Sequence, residues 1–207
     1  MSVSEDFIHK FVPGISERTV ILLHGTGGTE SDLLELGKAL DPEAALLSPR
    51  GKVLEHGMPR FFRRLAEGIF DEEDLIFRTH ELADFIQFAA KQYGFDQSKS
   101  IAVGFSNGAN IAASILLLRP GTFKAAVLLR AMVPLIPAKL PQLNGTSVLV
   151  ASGNRDPIIP VQNSRELIAL LQRSGAQVTA FFEDANHGLT QTTVATARQW
   201  LKDLDPS

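Results

Sequence analysis

Six short apolar runs recur along the chain, and segments with helical spacing fill the intervals between them. The runs are Thr19–Leu23, Ala45–Ser48, Ser100–Gly104, Ala125–Leu129, Ser147–Ser152 and Gln177–Phe182. Several are apolar throughout rather than alternating, the pattern of parallel strands covered on both faces. Helical spacing predicts helices over about Asp74–Tyr93, Asn107–Leu118, Gln162–Ser174 and Thr190–Leu204. Asp71 to Asp74 supply carboxylates at the start of the first, and Pro120-Gly121 stops the second. Strands alternating with helices of this length fold as a three-layer α/β domain, a mostly parallel sheet flanked by helices. With 207 residues and no internal repeat or linker, a single domain over 1–207 is expected.

The composition removes whole classes of chemistry. Lys and Arg number 20 against 23 Asp and Glu, so no basic excess points to a nucleic-acid partner. There is no cysteine, which excludes disulfides, thiolate metal sites and a cysteine nucleophile. The N-terminus has neither the basic nor the apolar region of a secretory signal. No apolar stretch approaches the ~20 residues of a membrane-spanning helix. A cytoplasmic protein without a membrane span is the expectation.

Chemistry must therefore use oxygen and nitrogen side chains, and Gly104-Phe105-Ser106-Asn107-Gly108 offers a place for it. The pattern G-x-S-x-G sits between a predicted strand and a predicted helix. That context is required, because the serine occupies a tight turn that lifts its hydroxyl above the sheet. A serine hydroxyl needs a base to take its proton. His187 lies between the last strand and the last helix, at the same edge of the sheet as Ser106. His9 and His56 have no motif around them. His80 sits at a helical position near Asp84, and one imidazole with one carboxylate makes an incomplete metal site, so no metal is expected.

The base needs a carboxylate to orient it. Asp156 follows the strand Ser147–Ser152 and is preferred over Asp184, which shares the histidine's own loop. The order Ser106, Asp156, His187 is that of α/β-hydrolase triads. An oxyanion needs two preorganised donors. The backbone N–H of Asn107 supplies one, and Thr26, in Leu23-His24-Gly25-Thr26-Gly27-Gly28, is the candidate for the second. A dinucleotide reading of this loop fails, since the last glycine of its fingerprint falls at Glu30 and no phosphate-loop lysine follows.

Two segments fit neither period: Pro49–Gly68 and Arg130–Gly145. Both follow a strand, so both are candidate pocket walls. Phe61, Phe62, Met132 and Leu135 are candidate lining residues within them. Arg60, Arg63 and Arg64 read as a solvated basic turn balanced by Asp71–Asp74, with an acidic substrate or lipid headgroup as the alternative.

Taken together, the run Leu23–Gly28, the elbow Gly104–Gly108, Asp156-Pro157-Ile158-Ile159-Pro160 and His187-Gly188 resemble the phospholipase/carboxylesterase family of α/β-hydrolases. The resemblance covers nearly the whole chain. It implies the three-layer α/β-hydrolase fold without a separate lid domain and a serine carboxylesterase that needs no cofactor. It implies Ser106, Asp156 and His187 as catalytic residues, Thr26 and Asn107 as the oxyanion hole, and a small-molecule ester as substrate. Gly57–Phe62 resembles the family's loop beside the acyl site, which adds Met58 to the candidate pocket, with His24 beside the oxyanion loop. Asn107 and Thr26 depart from the Gln and Leu usual in thioesterase members, so thioester specificity does not carry over. Hydrolysis of longer acyl chains by a thioesterase or lysophospholipase, and a non-catalytic binder on the same scaffold, are the alternatives. A homodimer stays open.

Overall fold

The computed structural model describes residues 6–204. The first half carries β1 (His9–Val12), β2 (Thr19–Leu23), α1 (Leu34–Leu40) and β3 (Ala45–Pro49). Two small hairpins follow, β4 (Val53–Glu55) with β5 (Met58–Arg60), and β6 (Arg64–Ala66) with β7 (Ile69–Phe70). The long helix α2 (Glu72–Tyr93) then leads to β8 (Ser100–Phe105), α3 (Asn107–Leu118) and β9 (Ala125–Leu129). The chain ends with β10 (Ser147–Gly153), α4 (Val161–Arg173), β11 (Gln177–Glu183) and α5 (Gln191–Asp203).

Seven strands form one sheet in the order β1-β3-β2-β8-β9-β10-β11. Every pairing is parallel except β1 with β3. Because side chains alternate across a strand, each buried strand feeds two cores at once. Ile21 and Leu23 of β2, Ala126 and Leu128 of β9, and Val148 and Val150 of β10 pack on the face covered by α2, α3 and α4. Their neighbours Val20, Leu22, Val127, Leu149 and Ala151 pack on the opposite face, under α1 and α5. This double burial is why the strands read as continuous apolar runs. The edge strand β11 is the exception, with Gln177, Thr179 and Ala180 exposed.

The helix limits follow from local chemistry. The Asp71 side chain accepts the Asp74 N–H at 3.1 Å, capping α2, and Gly94 ends it in the left-handed conformation at φ 73°. Helix α3 is buried along nearly its whole length, as expected for a helix built from alanine, isoleucine and leucine.

Periodicity does not foretell β1, α1 or the hairpins. β1 has four residues and α1 seven, too few to establish a period, and the hairpin strands are two or three residues long. The expected irregular segment Pro49–Gly68 is therefore mostly hairpin, whereas 130–145 carries no helix or strand. In register, Leu23 of β2 pairs with Gly104 of β8, Phe105 with Leu129 of β9, and Gly153 of β10 with Glu183 of β11. These pairings align the carboxyl ends of five strands along one edge, where the sequence motifs emerge.

Candidate active site

Ser106 joins β8 to α3 with φ 51° and ψ −113°. A side-chain-bearing residue rarely takes this conformation, which exists here because the flanking structure imposes it. Its N–H donates to Leu129 O at 2.9 Å, and its carbonyl accepts from Asn110 N at 3.0 Å. The two motif glycines permit the turn. A methyl group on Gly108 would collide with the Leu23 carbonyl of β2, and one on Gly104 with the Gly108 backbone. The pattern thus reflects a close crossing of helix and sheet beneath the serine.

The structure brings the three expected side chains together. Ser106 Oγ lies 3.0 Å from His187 Nε2, and His187 Nδ1 lies 2.7 Å from Asp156 Oδ2. The other carboxylate oxygen of Asp156 accepts N–H groups from Ile158 at 2.8 Å and Ile159 at 3.1 Å. These bonds fix the carboxylate plane, and only 2 % of the Asp156 side chain is exposed. Asp184 takes no part: it is exposed and pairs with Arg155 at 2.6 Å. His80 is exposed on α2, and no metal-binding cluster of His, Asp or Glu occurs among the described residues.

The glycine-rich loop lies beside Ser106. Gly27 N–H donates to Pro59 O at 2.9 Å and Gly28 N–H to Gly25 O at 3.0 Å. Among the described residues, no protein acceptor engages the backbone N–H of Thr26 or Asn107. Three hydrogen bonds hold the β5 segment against this loop and the head of α3. Besides Gly27 to Pro59, Arg60 Nη1 donates to Thr26 Oγ1 at 2.6 Å, and Phe61 N–H donates to the Asn107 side-chain oxygen at 2.8 Å.

A cavity of about 260 Å³ opens at Ser106 and His187. Its lining combines polar residues, Thr26, Arg60, Arg64, Asn107 and Asn110, with apolar ones, Phe70, Phe105, Met132, Ile158 and Ile159. Of the six lining residues expected from sequence, only Met132 borders it. Phe61, Phe62 and Leu135 are buried in the core, and Met58 lies against Gly27 outside the cavity wall. His24 is also buried. Its Nδ1 donates to Gly25 O at 2.7 Å and its Nε2 accepts from Gly51 N–H at 2.9 Å, so it ties the glycine loop to the hairpin segment. Burial pushes the His24 pKa down, against opposing contributions from the Gly25 hydrogen bond and nearby carboxylates.

The basic turn also departs from expectation. Arg63 is solvated and pairs with Asp71 at 3.0 Å, as its neighbours suggest. Arg60 is only 3 % exposed, and it shares Glu55 with Arg64. Burial, then the Arg64 charge, lowers the Arg60 pKa, and Glu55 opposes them. Hydrogen bonds from Arg64 offset the burial cost at Glu55 and hold its carboxyl below the usual range.

Behind His187 lies a network that sequence reasoning missed. Arg130, fully buried at the end of β9, donates from Nη2 to Glu183 Oε1 at 2.7 Å and to Gly188 O at 2.9 Å. Thr190 and Thr193 also donate to Glu183. Burial acts to raise the Glu183 pKa, but the bonds from Thr193, Arg130 and Thr190 outweigh it and hold the carboxyl below its ordinary range.

Comparison with known proteins agrees with this architecture. A family model described as Phospholipase/Carboxylesterase matches residues 14–204. The crystal structure of a Bacillus cereus carboxylesterase is 50 % identical, covers 96 % of this chain and 95 % of its own, and superposes with a TM-score of 0.94. A Mesorhizobium loti carboxylesterase is 31 % identical over 94 % of each chain, with a TM-score of 0.89. MhqD of Bacillus subtilis is 48 % identical over 195 residues, 94 % of this chain and 98 % of its own. The chain belongs to the phospholipase/carboxylesterase family and has the α/β-hydrolase fold.

Proposed function

We propose that the protein is a serine carboxylesterase acting on small to medium carboxylic esters. The observation that carries this reading is the unbroken hydrogen-bonded chain from Ser106 through His187 to Asp156, with Ser106 and His187 bordering a cavity. In the proposed reaction His187 Nε2 takes the Ser106 proton as Oγ attacks the ester carbonyl. Asp156 holds the imidazole tautomer and stabilises the imidazolium that forms. The N–H groups of Thr26 and Asn107 receive the oxyanion, preorganised by the loop contacts to β5. His187 then protonates the departing alcohol, and a water activated by the same imidazole hydrolyses the acyl-enzyme.

The cavity volume of about 260 Å³, just below the roughly 300 Å³ at which small-molecule sites begin, favours short acyl groups. A series of 4-nitrophenyl esters from acetate to palmitate tests this, read as kcat/KM. The expected maximum lies at four carbons or fewer, with roughly a tenfold fall or more by twelve carbons as the chain outruns the apolar wall. A maximum at twelve carbons or longer would instead support the lysophospholipase or thioesterase alternative. No hydrolysis of any member would support a non-catalytic binder.

A further inference from the structure

The polar residues that line the cavity carry hydrogen-bond donors, and their arrangement points to more than loop packing. Glu55 accepts from Arg64 Nε at 2.8 Å and faces Arg60 Nε at 3.1 Å, so one carboxylate stands behind two guanidiniums. Glu55 binds Arg64 through Nε, which leaves the terminal amino groups of Arg64 on the other edge, while Arg60 Nε donates to Phe62 O at 3.2 Å. Arg60 spends Nη1 on Thr26. Among the described residues, no protein acceptor engages Arg60 Nη2 or either terminal amino group of Arg64. Arg60 is almost wholly buried yet borders the cavity.

Asn110 borders the same cavity. It stands one helical turn beyond Ser106, is 5 % exposed, and its side-chain oxygen accepts the Met132 N–H at 2.9 Å. That bond fixes which way the amide faces and leaves its NH₂ as a donor that meets no protein acceptor among the described residues. Two cations against one carboxylate leave a surplus positive charge beside the cavity, where low dielectric strengthens it. Glu67 also borders the cavity, from the exposed turn between β6 and β7, where solvent weakens its charge without cancelling it.

We infer that Arg60, Arg64 and Asn110 form an anion subsite, and that the preferred substrates are esters bearing a second, non-reacting carboxylate. This rests on the esterase reading above. A planar carboxylate matches the paired donors that a guanidinium presents, and the surplus charge repays its desolvation. Glu55 orients the arginines, and Thr26 couples Arg60 to the loop that receives the oxyanion.

The test compares charged and neutral partners of similar size. One arm places the carboxylate on the acyl side, monoethyl succinate against ethyl butyrate; the other places it on the alcohol side, 4-acetoxybenzoate against phenyl acetate. Each is measured with the wild-type protein, Arg64→Gln and Glu67→Gln. The inference expects the wild type to prefer the charged member in at least one arm. In that arm Arg64→Gln lowers the charged-to-neutral ratio of kcat/KM about tenfold, chiefly through KM. Glu67→Gln, on an exposed turn, raises the same ratio about two- to fivefold. Neutral or reversed preference in both arms, with ratios unmoved by both variants, would overturn it. Failure to hydrolyse the neutral esters as well would instead count against the esterase reading.

Discussion

Replacing Ser106 with Ala is expected to lower kcat for ester hydrolysis roughly 10⁴- to 10⁶-fold, with the fold unchanged. The size of the effect reflects a unit: in the proposed reaction His187 without Oγ has nothing to deprotonate, and only the proposed oxyanion donors and binding remain. A companion variant separates chemistry from conformation. Ser106 holds φ 51° and ψ −113°, a region that glycine enters freely and other residues enter under strain. Ser106→Gly is therefore expected to be as inactive as Ser106→Ala yet about 1 kcal/mol more stable, the relief of strain outweighing glycine's extra unfolded-state entropy. Circular dichroism melts with an ester assay check both parts. Equal stability of the two variants would mean that the turn carries no strain.

The second large effect is expected at Arg130, which touches neither substrate nor Ser106. Its side chain is fully buried and pairs with Glu183, while its Nη2 also grips the carbonyl of Gly188, the residue after His187. Arg130→Met removes one partner of a buried pair and leaves the Glu183 carboxylate facing the interior, a change that costs about 3–5 kcal/mol. The loop carrying His187 then loses its anchor. At temperatures where the variant is folded, kcat should fall with little change in KM, the signature of a positioning residue. The pH dependence has a defined sign. Glu183 has a depressed pKa in the folded state, so its stabilisation is present above the ordinary carboxylate pKa of about 4.3 and is lost as pH falls through the lower folded value. The stability gap between wild type and Arg130→Met should therefore be widest near neutrality and narrow in acid. Urea denaturation at several pH values measures it, and a gap independent of pH would contradict the role given to the pair.

The sequence carries most of this architecture in two signals. Continuous apolar runs mark strands buried on both faces, and β2, β8, β9 and β10 are all such strands. The elbow glycines mark the crossing of α3 over β2, so the position of Ser106 is readable from spacing. His187 and Asp156 follow because both stand just past strands at the same sheet edge. The cavity walls are less legible because they depend on contacts between distant segments. Phe61 and Phe62 look like pocket aromatics, but the β4–β5 and β6–β7 hairpins turn them into the core and turn Arg60 and Arg64 towards the cavity. No local pattern distinguishes a buried Arg60 from its solvated neighbour Arg63. What separates them is Glu55, five residues from Arg60 and across a hairpin. Arg130 is hidden for the same reason, since its partner Glu183 is 53 positions away. Asn110 had a usable signal, its place one helical turn beyond Ser106 on a helix already predicted.

The most direct test of the proposed nucleophile is covalent trapping of Ser106. The purified protein is mixed with a fluorophosphonate, followed by intact-mass measurement and mapping of the modified peptide. The account predicts a single adduct on Ser106, complete loss of ester hydrolysis with its formation, and no adduct in Ser106→Ala or His187→Ala. Labelling elsewhere, or hydrolysis that survives full modification of Ser106, would contradict it.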